Sequence, residues 1–252
     1  MDFGGRKVLV TGASRGIGRA IAMEFAAGGA KVAVHYHSNQ EAVEATLALL
    51  DGEGHSAHRA DVADAGQCQA LISAAATALG GLDVLVNNAG IFELHPILDL
   101  DYTEWQDAWA RTLHTNLVGP ANLMHCAAHH MVAHGGGKII NISSRGAFRG
   151  EPDSAAYGAS KAGLNSLSQS FAHALAPHGV FVGVVAPGFV ETDMAAEHLA
   201  GAAGDKTRAQ SPLNRAAEPA EIARAVTFLA SDGIEYLTGC VIDANGASYL
   251  RT

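Results

Sequence analysis

Tyr157 and Lys161 stand four residues apart in a stretch of helical periodicity, so their side chains share one helix face and reach the same small ligand. Ser144 precedes Tyr157 by thirteen residues and follows an apolar run at 138–142 that reads as a strand. Side chains at the carboxyl end of such a strand open into the ligand crevice of a parallel sheet. A phenol, an ammonium and a hydroxyl gathered there point to proton transfer at an oxygen atom of the ligand. Tyrosine ionises near pH 10, and bringing it toward ~7 takes roughly 4 kcal/mol of preference for the phenolate, at about 1.36 kcal/mol per unit. The Lys161 ammonium is the expected source of that preference.

A second chemical element lies at the other end of the chain. Residues 7–20, KVLVTGASRGIGRA, read as a buried strand, a glycine-rich turn and a helix start. Gly12, Gly16 and Gly18 fall where the backbone must turn tightly and let its amides close on an anionic oxygen. Ile17, Ala20, Ile21 and Phe25 then recur at helical spacing, which sets a helix N-terminus beside the glycines. The expected guest is a diphosphate.

Positioning these two elements is the task of the rest of the chain. Strand and helix patterns alternate from end to end, which predicts an α/β fold of one domain. The expected architecture is a doubly wound parallel sheet of about seven strands with helices on both faces, spanning 1–252. Predicted strands are 8–10, 31–36, 57–60, 82–86, 138–142, 180–185 and 240–243. Predicted helices include 40–50, 64–79, 103–133, 154–176 and 220–230, with Asp64 as a cap and Pro219 in a first turn. The first 135 residues form the cofactor half and 136–252 the catalytic and substrate half. Residues 189–212, rich in Ala, Gly and polar side chains, form a candidate substrate loop.

Composition excludes several classes of partner. With 48% hydrophobic and 16% charged residues over 252 positions, the chain is globular. Its net charge of -9 disfavours nucleic acid and anionic membrane surfaces. No stretch approaches the roughly 18 apolar residues of a membrane span, and MDFGGRKVLV lacks the apolar run of a secretion signal. The expected compartment is the cytoplasm. Cys68, Cys126 and Cys240 are odd in number and far apart, which suits reduced, packed thiols.

Taken together, TGASRGIG at 11–18, NNAG at 87–90, Asn116 in HTNLVGP, Ser144, the Tyr157/Lys161 pair and PGFVET at 187–192 resemble the short-chain dehydrogenase/reductase family, in its order and spacing. The appearance is closest to the 3-oxoacyl-acyl-carrier-protein reductase branch. The resemblance implies hydride transfer between a nicotinamide cofactor and a carbonyl or alcohol, with Asn116, Ser144, Tyr157 and Lys161 as a catalytic tetrad. In it Tyr157 is the general acid or base, Ser144 orients the carbonyl oxygen, and Asn116 holds a water that links Lys161 to solvent. It also implies that Gly12, Ser14, Arg15, Gly16, Ile17 and Gly18 take the cofactor diphosphate, and Asp61 and Val62 the adenine. Asn88, Ala89 and Gly90 line the cofactor; Pro187, Gly188, Val190 and Thr192 lie beside the nicotinamide, and Lys161 also bonds its ribose.

After the second strand, where NAD-preferring relatives carry an acidic residue, this chain has Tyr36, His37 and Ser38. No carboxylate repels a 2′-phosphate there, and Arg15, His37 and Ser38 can meet one. NADP(H) is therefore expected over NAD(H), which stays possible. The substrate pocket is expected at Ile91, Phe92, Glu93 and His95, at Ser144, Arg145, Phe148 and Arg149, and at 189–194 with Met194.

A 3-oxoacyl thioester reductase needs a basic face for its acidic carrier, and 125–134 offers histidines without lysine or arginine. A sugar, polyol or xenobiotic carbonyl reductase is the alternative, and a non-catalytic NADP(H)-binding sensor or scaffold a third reading. The pairs His125/His129 and His130/His134 have zinc-chelating spacing but no third ligand, so no metal is expected. The resemblance implies a homotetramer formed through 103–133 and 154–176, where Ala127, Ala128, Ala159, Ala162 and Gly163 permit close helix approach.

Overall fold

A computed structural model describes residues 1–196 and 199–251. Glu197 and His198 of the candidate substrate loop, and Thr252 at the end of the chain, lie outside the described residues. The seven strands are β1 (Lys7–Val10), β2 (Lys31–Tyr36), β3 (Ser56–Arg59), β4 (Val84–Asn87), β5 (Gly137–Ile142), β6 (Val180–Pro187) and β7 (Val241–Ala244). They form one parallel sheet in the order β3-β2-β1-β4-β5-β6-β7. The order reverses between β1 and β4, and ligands of such sheets bind at the carboxyl ends flanking that point.

Alternation along each strand splits the core into two layers. Val8 and Val10 face one cluster with Val84, Val86, Ile140 and Val185, covered by α1 (Gly16–Ala27) and α9 (Pro219–Ala230). Leu9 and Leu85 face the other with Ile139 and Val182, covered by α3 (Ala65–Leu79), α5 (Gly119–Ala133) and α7 (Ala155–Leu175). Both faces being buried explains why the strands are continuous apolar runs.

Local rules account for the element ends. Asp64 accepts the Gln67 amide at 2.8 Å and caps α3, and the Asp101 carboxylate forms a capping box with Glu104 at the start of α4 (Tyr102–Leu113). Three expectations change. The helix α2 (Gln40–Leu47) stops three residues short of 50. The predicted helix over 103–133 is α4 and α5 joined by a π-turn at His114–Val118. The candidate substrate loop contains a turn of 3-10 helix at Asp193–Ala195 and the helix α8 (Gly201–Arg208), which its sparse apolar residues did not announce. The remaining α-helix among the described residues is the single turn α6 (Gly146–Arg149) after β5. Among the described residues no helix is long and apolar enough to cross a membrane.

Candidate active site

The glycine turn links the end of β1 to the start of α1. Gly12 adopts φ 62°, a conformation that a side chain resists. A Cβ at Gly18 would run into the Gly12 carbonyl and stand 2.5 Å from the Asn88 amide nitrogen. No side chain caps α1 and no acid occupies its first turn, so its leading amides remain available to an anion. This cradle fits a dinucleotide diphosphate by chemistry and by the space that the missing Cβ atoms leave.

Neighbouring groups fix the cradle. Asn88 donates to the carbonyls of Thr11 and Gly12 at 2.9 and 3.0 Å, and the Thr11 hydroxyl accepts from the amides of Asn88 and Ala89. Arg19 holds the Ser14 carbonyl at 2.6 Å. His35, next to last in β2 and given no role by the motif reading, accepts the Gly12 amide on Nδ1 at 3.0 Å and donates from Nε2 to the Ala60 carbonyl. That pair of bonds fixes a neutral ring, and burial lowers its pKa to about 4.

At the adenosine end, Tyr36 closes β2 beside Arg59 of β3. Arg59 donates to the His37 carbonyl at 3.1 Å and adds a cation that the sequence reading missed, although its position opposite Tyr36 could have revealed it. His37 approaches Asp61 at 4.0 Å. Ser38 is exposed, whereas Val62 packs into the second core. The Arg15 guanidinium lies 3.5 Å from Asp193 of the candidate substrate loop, both well exposed. A Cβ at Gly16 would meet the Thr192 methyl at 3.2 Å, so this loop closes over the turn. Val190 is buried and bridges to Ala217; Gly188, following Pro187, donates to the Ala244 carbonyl.

Ser144, Tyr157, Lys161 and Asn116 come together beyond β4 and β5. Lys161 is 5% exposed, and its Nζ donates to the Ile142 carbonyl at 2.9 Å and sits 5.8 Å from the Tyr157 ring centre. A Cβ at Gly90 would lie 3.2 Å from Asn116 Oδ1 and 3.5 Å from Lys161 Nζ, which puts the three side by side. Asn116 lies in the π-turn, a distortion frequent at functional sites. Both of its side-chain atoms bond Ile91, accepting its amide and donating to its carbonyl at 2.8 Å each. This side chain thereby fixes the loop after β4.

In the chain alone, burial weighs on both members of the Tyr157/Lys161 pair. Burial raises the phenol above its ordinary value, with the Ser144 hydroxyl working in the opposite direction. Burial likewise brings Lys161 down to about 8, so the ammonium carries its own desolvation cost and is occupied by the Ile142 carbonyl.

The expected substrate residues divide. Phe92 packs edge-on to Tyr157 at 5.0 Å, and Met194 is half exposed on the loop. Glu93 instead pairs with Arg111. His95 is 1% exposed and serves as a staple rather than a pocket wall: its Nδ1 bonds the Glu93 carbonyl and its Nε2 accepts the Ala156 amide at the start of α7. Phe148 lies under Arg251 of the C-terminal segment at 4.5 Å. Arg145 is buried against the Phe189 ring at 4.7 Å.

His125 and His129 of α5 meet edge-on at 4.6 Å between ring centres, and His130 stacks on His134 at the helix end at 4.2 Å. Among the described residues no group of three or more His, Cys, Asp or Glu could hold a metal ion.

A glycine-cradled helix start at the sheet's reversal point, with a serine, a tyrosine and a lysine converging beside it, defines a nucleotide-dependent oxidoreductase of Rossmann architecture. The family profile described as Enoyl-(Acyl carrier protein) reductase matches residues 12–246, and the chain belongs to the short-chain dehydrogenase/reductase family. It is 40% identical over 247 residues to a 3-oxoacyl-acyl-carrier-protein reductase FabG of Staphylococcus aureus, covering 97% of this chain and 98% of that protein. It is 38% identical over 253 residues to an L-rhamnose 1-dehydrogenase (NAD(P)(+)) of Azotobacter vinelandii, covering 98% and 97%. A short chain dehydrogenase of Burkholderia cenocepacia solved with NADP is 33% identical and superposes with a TM-score of 0.88, covering 98% of this chain and 99% of that one.

Proposed function

We propose that this oxidoreductase reduces a carbonyl to an alcohol, or runs the reverse, with NADP(H) preferred and Tyr157 as general acid or base. The observation that carries the proposal is the meeting of Ser144, Tyr157 and Lys161 at the strand ends flanking the glycine cradle. A nicotinamide bound there supplies or accepts hydride. Developing charge on the substrate oxygen is met by the Ser144 hydroxyl and neutralised by the Tyr157 proton. Because burial holds the phenol protonated, Tyr157 is an acid first, which suits reduction. Lys161, braced on the Ile142 carbonyl, keeps two further protons that would serve the nicotinamide ribose and the phenol when the cofactor is bound. Asn116 keeps the Gly90-Ile91 backbone in place beside them.

NADP(H) preference rests on Tyr36 standing at the acidic position, with His37 and Ser38 following it and Arg59 opposite, and on Arg15 in the glycine turn. The substrate reading is a 3-oxoacyl-thioester-like ketone, in line with the FabG relative. A sugar or polyol carbonyl is the second reading, favoured by the rhamnose dehydrogenase relative and by the absence of Lys or Arg along 125–134. Following loss of NADPH absorbance against 3-oxoacyl thioesters, diketones and aldoses tests the proposal. Turnover of the thioesters supports the first reading, turnover of aldoses the second, and no turnover of any carbonyl contradicts both.

The proposed setting is the cytoplasm, where its three free thiols persist. Residues 1–252 act as one folding unit in this reading, with the cofactor half at 1–135 and the catalytic half at 136–252. A homotetramer is proposed through α4 and α7. Ala159 and Ala162 are exposed on α7 for such contact, but Ala127 and Ala128 are buried in this chain's own interior and drop out of the expected interface.

A further inference from the structure

A cavity of about 240 Å³ opens between the ends of β5, β6 and β7, beneath the segment that connects α8 to α9. Arg145, Phe189, Ser211, Asn245 and Ser248 are among its walls, and Ser144, Tyr157 and Lys161 are not. Two polar atoms of this wall are buried without a hydrogen-bond partner among the described residues: Arg145 Nη1 and Ser248 Oγ. Arg145 is only 4% exposed, and among the described residues no carboxylate forms an ion pair with it. Its Nη2 donates to Gln210 Oε1 at 2.7 Å, and Arg149 leans on the same oxygen at 3.2 Å. Glu221, the acid in the wall, is already gripped by both terminal nitrogens of Arg215, at 2.6 and 2.7 Å.

A guanidinium keeps its charge when buried and is costly there unless an anion answers it. Its planar fork of N–H donors matches the two oxygens of a carboxylate. The unpartnered groups here are such a donor and, on another residue lining the same cavity, a hydroxyl that can donate. The volume lies below the ~300 Å³ at which pockets for drug-sized ligands begin, so the occupant is small. We propose that this cavity binds a small carboxylate, received by Arg145 Nη1 and Ser248 Oγ, one residue along the chain from Ser144. Its oxygens would tie Arg145, and through it Gln210 of the α8–α9 segment, to the C-terminal segment. The carboxylate comes either from a free acid or from the tail of a substrate whose carbonyl reaches Ser144.

Calorimetric titration of the full chain with succinate, against sodium chloride at matched ionic strength, tests the site without requiring turnover. The reductase reading can therefore fail while this one stands, or the reverse. The expected result is saturable binding of one succinate per chain, weakened about tenfold in Ser248→Ala and lost in Arg145→Gln. If Arg145→Gln does not fold, Ser248→Ala decides alone. No saturable succinate signal beyond chloride, or unchanged affinity in Ser248→Ala, overturns the proposal. Where binding is found, competition with the carbonyl substrate assigns the carboxylate to the substrate's tail, and independence assigns it to a free acid.

Discussion

The Gly12 amide donates to His35 Nδ1 across 3.0 Å, so the glycine turn is pinned by an imidazole that must stay neutral to accept the bond. The ring is 2% exposed, and burial brings its pKa from 6.5 to about 4. Unfolded chains take up the proton below about 6.5 while the native ring resists it to about 4. The neutral ring's contribution to stability is therefore present above pH 6.5 and is lost as pH falls toward 4, by about 3 kcal/mol in all at 1.36 kcal/mol per unit.

Replacing His35 tests this pin. His35→Asn, which can still accept the amide, should keep the Michaelis constant for the cofactor within about threefold. His35→Leu should raise it roughly tenfold with little change in kcat, since the lost bond is a single buried one of about 1–2 kcal/mol. Denaturant midpoints measured from pH 7 to pH 4 should fall less steeply in both variants than in the parent chain. Equal slopes would remove His35 from the pH response.

Gly18→Ala should abolish dinucleotide binding while leaving the sheet intact. The added methyl meets the Gly12 carbonyl and the Asn88 amide, both of which are held by other bonds. Fluorescence titration with NADPH against an unchanged circular dichroism spectrum would show it. Binding within threefold of the parent would contradict the cradle.

Cofactor choice should respond to one side chain. Tyr36→Asp places a carboxylate at the end of β2, where it can accept from a ribose 2′-hydroxyl and repel a 2′-phosphate. The ratio of kcat/KM for NADPH over NADH should drop by at least tenfold. Arg59→Ala should raise the Michaelis constant for NADPH alone, and equal effects on both cofactors would remove Arg59 from phosphate recognition.

Lys161 is expected to cost stability for the sake of its position. Its pKa is lowered from 10.5 to about 8 by burial, so below pH 8 the fold carries a charge it disfavours. Between about pH 8 and 10.5 the native chain has released a proton that the unfolded chain retains, and stability rises with pH through that window. Lys161→Met should be more stable than the parent at pH 7 by up to ~3 kcal/mol, less the cost of the freed Ile142 carbonyl, with the gain fading by pH 10.5. A variant destabilised at pH 7 would contradict this.

Much of the fold could be read from the chain because its strands are buried on both sides. Val8, Leu9 and Val10 must all be apolar when two helical layers cover β1, and β2 at Lys31–Tyr36 matches the predicted bounds. The glycine turn was legible for a related reason, since the space around Gly18 admits no side chain. What escaped notice depends on contacts between distant segments. Nothing in HTNLV distinguishes a π-turn from the α-helix on either side; the distortion accompanies the grip of Asn116 on Ile91. His35 was given no role because a single buried histidine has no periodicity, and His95 was expected in the pocket wall; only the backbone amides facing them reveal their work. How strongly burial penalises Tyr157 and Lys161 was likewise illegible, because adjacency along a helix says nothing of depth.

The central claim is that the Tyr157 hydroxyl gives its proton to the substrate oxygen. The direct measurement is Tyr157→Phe beside the parent, comparing NADPH affinity by fluorescence titration with turnover of whichever carbonyl the parent reduces. The account predicts affinity within threefold and kcat reduced at least a thousandfold, consistent with the 10²–10⁴ range of acid-base contributions. Turnover within tenfold of the parent, with cofactor bound normally, would contradict it.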